Sequence, residues 1–176
     1  VLCQYLKIMK MEQRCLMIDI FVDSGAHSLY TQEVIKKGHT EGYSFFESDA
    51  FWKYVDDYAE FIKKYKDEIG VYVNVDVIFN PDLSWKVQQY LEGTHGLKPL
   101  PVIHYGTDFK WLKHYLYKDY DYIGLGGIGQ EVDIQEWAVW GDRAFSLICD
   151  TKDNTPKVKV HGFAMTSLRA MLRYPW

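Results

Sequence analysis

Cysteine is scarce: Cys3, Cys15 and Cys149 are the only three in 176 residues, far apart and with no C-x-x-C pair. An odd, scattered set supports neither a disulfide framework nor a cysteine-built zinc site, and fits reduced thiols in a cytoplasmic setting. Long hydrophobic runs are missing as well. No apolar stretch approaches the roughly 20 residues of a membrane span, and the start of the chain shows no apolar core with a small-residue cleavage site. Neither a membrane partner nor a secretion signal is therefore expected. Positive charge is not in excess: 20 Lys and Arg against 24 Asp and Glu leave a net charge of −4. Nucleic-acid binding would need local basic clusters, and those present, such as Lys63, Lys64 and Lys66, fall on expected helix faces. No linker, low-complexity segment or close repeat divides the chain, so its length fits a single domain with a sizeable core.

What the chain does have is an apolar run, Leu16 to Val22, that stops abruptly in Asp23-Ser24-Gly25. A short apolar run bounded by turn residues predicts a buried strand. Asp23 and Ser24 then stand where the strand ends, and Gly25 allows backbone angles and close approaches that a side chain blocks. Such a group makes a floor for a small molecule; equally, Asp and Ser at a turn hydrogen-bond the turn backbone. Upstream, Leu2, Tyr5, Leu6 and Met9 trace a weak helix. Downstream, the polar connection from Thr31 to Tyr43 reads as a loop or short hairpin over the mouth of the site. It carries His39, with His27 just before it.

The remainder alternates. Ser48 or Asp49 caps a helix with Phe51, Val55, Tyr58, Ala59 and Ile62 on one face. Val71 to Ile78 is too β-branched for a helix and apolar on both faces except at Asn74 and Asp76, as in a parallel sheet covered by helices. Asn80-Pro81 opens a helix to Gly93 or Gly96. Leu100 to Ile103 forms a strand ending in His104-Tyr105-Gly106, and a helix follows from Thr107 or Asp108. Tyr122 to Leu125 ends in Gly126-Gly127. A stripe from Ile134 to Ile148 predicts one helix despite Gly141, which costs about 1 kcal/mol against Ala. Val158 to Val160 ends in His161-Gly162, and a last helix opens near Thr166.

Five strand–helix alternations with short connections predict parallel strands joined by crossovers. From the residues alone, a flat doubly wound sheet and a (β/α)8 barrel both stay open. In either, polar groups at strand C-termini face the site. Every strand here ends in one: Asp23-Ser24, Asp76, His104, Gly126-Gly127, His161. Gly124 to Gly129 also fits G-x-G-x-x-G, with Asp150 where a ribose ligand would be sought. A dinucleotide site, however, normally opens its domain, and this run follows three βα units. Asp23, Asp76, His104 and His161 would alternatively ligate a divalent metal, though no H-x-H or H-E-x-x-H spacing accompanies them. Two carboxylates aimed at one cavity also suit a nitrogen-rich ring, whose N–H groups they accept.

In order and rough spacing, Asp23-Ser24-Gly25, the V-N-V-D ending at Asp76, His104-Tyr105-Gly106, Leu125-Gly126-Gly127 and His161 to Thr166 resemble the transglycosylases that exchange guanine for 7-deazaguanine in nucleic acid. The short phage-type relatives similar to DNA-modifying enzymes fit best, over residues 16–176. The resemblance implies a (β/α)8 TIM-barrel type α/β fold in a single domain. About five βα units of it would stand in this chain, without its C-terminal strands and with its first strand in question. It implies a transferase in which an aspartate attacks the sugar, guanine leaves, and a base such as preQ0 or preQ1 enters. Asp23 would be the general acid/base. Ser24 and Gly25 would help to hold the base, Asp76 would read its amino and ring N–H edge, and Gly126 and Gly127 would meet its carbonyl. His104 stands where the tRNA enzymes carry glutamine, and His161 would also line the base site. The nucleophile would fall beyond Trp176. No cofactor is implied, since nothing replaces the structural zinc cluster of the tRNA enzymes. The partners would be DNA or tRNA and the deazaguanine base. The competing readings are a non-catalytic nucleobase-binding barrel fragment and a metal-dependent barrel hydrolase.

Overall fold

The structure is a computed structural model that describes residues 20–37, 43–127 and 133–176. The expected helix over 2–15, the first part of the first strand, Cys3, Cys15, His39, Ile128 and Gly129 lie outside the described residues.

Among the described residues, five strands alternate with six α-helices. β1 (Ile20–Val22) leads through a left-handed Gly25, φ 78°, into α1 (Ala26–Tyr30), which runs on as a π-helical turn over Thr31–Ile35. The expected loop or hairpin from Thr31 is thus helical through Ile35, and residues 43–45 are helical again. Val34 and Phe46 explain the difference: both are fully buried, so this polar-looking stretch anchors an apolar face that its composition hides.

α2 (Asp49–Lys64) begins where expected, with Ser48 Oγ accepting from Phe51 N, and buries Phe51, Val55, Tyr58, Ala59 and Ile62. Phe51, Val55 and Ile62 each contribute about 1.5–3 kcal/mol of burial. β2 (Ile69–Tyr72) is shorter than the apolar run predicts and takes in Gly70. α3 (Pro81–His95) has Asn80 as its N-cap and Gly96 at its C-cap. β3 (Val102–His104), α4 (Phe109–Tyr117) with Asp108 as cap, and β4 (Tyr122–Gly126) follow. α5 (Ile134–Ile148) is one helix through Gly141, where an added Cβ would lie 2.8 Å from the Trp137 ring and 3.1 Å from the Tyr174 hydroxyl. Close packing, not helix propensity, thus selects that glycine. β5 (Lys159–Gly162) and α6 (Leu168–Arg173), capped by Ser167, complete the chain.

All strand pairs are parallel: β1 with β2, then β3 with β4 and β4 with β5. A Val73–Leu100 bridge joins the two groups, with Asn74 N bonding Leu100 O at 2.9 Å. The strands therefore lie side by side in chain order, without the reversal of a doubly wound sheet.

They are also strongly curved. In a flat sheet β1 and β5 would stand four spacings apart, about 19 Å. Yet the Phe21 ring of β1 stacks on the His161 ring of β5 at 4.6 Å. A small cluster of Val73, Leu100 and Val102, with Phe21, Val71, Tyr122 and Phe163 packed on it, fills the inner side of this arc. Two larger clusters lie against the helices, one around Val22, Phe51, Val75 and Leu91, the other around Ile103, Ile123, Leu125 and Trp137. The array is α/β with parallel sheets, and no barrel closes among the described residues. No helix among them is long and apolar enough to cross a membrane.

Candidate functional site

Because the strands are parallel, their C-terminal ends share one rim. The chain beyond Val73 leaves the ladder and is held by α3. Ser84 Oγ accepts from Val77 N at 2.9 Å, and the fully buried Asn74 donates from Nδ2 to Ser84 O at 3.0 Å. This stitching places Asp76 beside the last residue of β3, with His104 Nε2 3.1 Å from Asp76 Oδ2. Both are buried, at 5% and 8% exposure. A buried carboxylate without a partner would cost several kcal/mol, so the imidazole is what allows Asp76 to stand there.

The glycines at the end of β4 make room for protein groups. His104 pairs with Gly126 across the ladder, and an added Cβ at Gly126 would lie 3.1 Å from the His104 ring. The Gly126 carbonyl accepts from Tyr105 N at 2.9 Å. Gly127, at φ 75°, lies so close to Tyr105 N that a Cβ would approach it to 3.0 Å. At Gly124, the first glycine of the G-x-G-x-x-G pattern, a Cβ would collide with Phe163 Cε2 and lie 3.0 Å from Leu100 Cδ2. That glycine sits inside the strand and is filled by an aromatic ring, not by a turn around a pyrophosphate.

A second grouping surrounds the end of β1. Asp23 is exposed, while Ser24 is buried, with its hydroxyl 3.4 Å from Ala26 N and its carbonyl accepting from Tyr54 OH at 2.6 Å. The Ser24 side chain thus serves the turn. Gly25 leaves room for Tyr54, whose hydroxyl would lie 2.8 Å from an added Cβ. Burial, and then the Asp23 charge, raises the Tyr54 phenol above its ordinary range. Burial lowers His161, and Asp23 partly opposes that shift. His161 is clamped between Phe21 and an edge-on Phe163 at 4.6 Å. His27 is exposed on α1.

The expected site residues therefore share the strand-end rim but make their contacts in two groups. Asp76, His104 and Gly126 meet around β3, and Asp23 and His161 interact across β1 and β5, with β4 between. Among the described residues, no three His, Cys, Asp or Glu side chains are placed to hold a metal ion.

No family model, no curated protein and no solved structure matches the chain.

Two further participants carry no signal in the sequence. Phe79 stands three residues past Asp76, 58% exposed, at φ 62°. Tyr43 donates from its hydroxyl to Ile78 O at 2.9 Å and pins the same loop, and burial together with Tyr30 pushes its phenol up to about 12. Between this loop and α4 lies a cleft lined by Phe79, Ser84, His104, Thr107 and Trp111. It has space for about one water molecule. A ring-sized ligand would therefore sit at its mouth.

Proposed function

We propose that this chain is the base-handling part of a transglycosylase that exchanges guanine for a 7-deazaguanine of the preQ0 or preQ1 kind in DNA or tRNA. The observation that carries the reading is the Asp76–His104 pair at the strand-end rim. A carboxylate accepts from ring N–H and amino groups, and the imidazole offers a donor or an acceptor according to its tautomer. That combination suits the polar edge of a purine-like ring. The sequential, curved order of the strands further supports a (β/α)8-type arc with its site at the strand C-termini.

On this reading Asp23 donates a proton to the departing base nitrogen as the glycosidic bond breaks, and takes one from the incoming base. Its exposure suits transfer at the rim, beyond the inner aromatic cluster. The carboxylate that would attack the sugar is not among the matched positions.

Labelled guanine exchange by the full gene product, run separately with tRNA and with double-stranded DNA, tests the reaction. Incorporation that disappears in Asp23→Ala, with the fold unchanged by circular dichroism, is the expected result. Guanine binding without exchange identifies instead a non-catalytic nucleobase-binding module. Absence of both overturns the reading.

A further inference from the structure

Phe79 combines two features that a structural role does not explain. A left-handed backbone costs a non-glycine residue of order 1–3 kcal/mol and persists only where its surroundings impose it. Here they do: Tyr43 bonds Ile78 O, Asn80 N bonds Val77 O at 2.9 Å, and Ser84 bonds Val77. The ring so positioned is nevertheless 58% exposed, so the strained backbone does not serve core burial. It meets Tyr30 edge to face at 5.9 Å, and the His104 ring lies 6.3 Å away. The cleft beneath, lined by Phe79 and His104, takes about one water, so a heteroaromatic ring reaching for His104 stays outside it, at the level of Phe79.

We propose that Phe79 is the stacking platform of this site, holding the face of a planar, nitrogen-bearing ring while Asp76 and His104 meet its polar edge. The proposal rests on the nucleobase reading above and adds the residue that selects for flatness. Alanine substitution at base-stacking aromatics typically costs about 1–3 kcal/mol per base, which corresponds to roughly 5- to 150-fold in affinity.

Calorimetric titration of the full chain with guanine and with 7-deazaguanine provides the test, using wild type, Phe79→Leu, Phe79→Trp and Phe79→Gly. Leucine keeps apolar bulk without a ring and should weaken binding by about 5- to 150-fold. Tryptophan should bind within a few-fold of wild type. Glycine should lose binding while melting no lower than wild type, because it accepts the positive φ without strain. In wild type, protons of the bound base should shift upfield in NMR spectra from the ring current. Wild-type binding that Phe79→Leu retains within twofold overturns the stacking role and leaves the nucleobase reading standing. If wild type binds neither base, both fall together.

Discussion

Asp76 Oδ2, in the segment that follows β2, and His104 Nε2, at the end of β3, lie 3.1 Å apart, although 28 residues separate them in sequence. Each is buried, and the imidazole is the group positioned to compensate the carboxylate. On the proposed reading, this pair supplies the rim's recognition chemistry.

Asp76→Asn keeps the shape of the side chain but replaces a charged double acceptor with an acceptor and a donor. Hydrogen bonds to charged groups contribute about 1.5–3 kcal/mol. Guanine affinity should therefore fall by roughly 10- to 150-fold. Calorimetry measures it, and undiminished affinity would remove Asp76 from base recognition.

His161 is held below its ordinary value of 6.5 mainly by burial, with Asp23 opposing. A folded-state value below the unfolded one favours the neutral ring. This contribution to stability is complete above the unfolded value and is lost as the pH falls towards the folded one. Asp23→Asn removes the opposing charge, so the His161 titration should move further down. Proton NMR of the imidazole reads it, and a rise would contradict the proximity of the two groups.

Tyr174 ties α6 to α5. Its single hydroxyl proton lies between two acceptors, Asp142 Oδ1 at 2.7 Å and Ala138 O at 3.0 Å, while Arg173 forms a two-pronged pair with Asp142. Arg173 and then Tyr174 hold the Asp142 carboxyl below the usual carboxylate range. Stability from this lock is full above that range and is lost as the pH falls through the lowered value. Tyr174→Phe should cost about 1–2 kcal/mol at neutral pH, from the net worth of the lost hydrogen bonds. The cost should shrink in acid as Asp142 protonates. Urea unfolding at pH 7 and pH 3 checks both halves.

Gly124→Ala should destabilise by about 1–3 kcal/mol through overpacking, because the new methyl would collide with Phe163. Phe163→Leu in the same chain should recover part of that loss. A double-mutant cycle measures the coupling, and strict additivity would show that Phe163 does not fill the space over β4.

Much of the fold was legible from local patterns. Ser48 and the spacing from Phe51 to Ile62 located α2 and its buried face, and Asn80-Pro81 located the start of α3. The stripe from Ile134 to Ile148 located α5. The stretch after Thr31 was misleading because its helix is stabilised by burying Val34, while the adjacent Ile35 stays exposed among polar residues. The ends of β1, β3 and β4 were legible to within a residue, since a run of apolar residues interrupted by a polar one needs no knowledge of its partners, whereas β2 stops at Tyr72, four residues short of the Asp76 expected at its end. Which of those polar groups touch was not.

The sequence by itself thus determined the alternation of strands and helices, most helix limits and the set of polar residues at one rim, because caps and periodicity act within a few residues. Tertiary structure decided that the strands curve until Phe21 reaches His161. It also paired Asp76 with His104, gave the space over Gly124 to Phe163, and held Phe79 exposed at φ 62°. Each of these depends on packing between segments far apart in the chain, and no local pattern of residues encodes it.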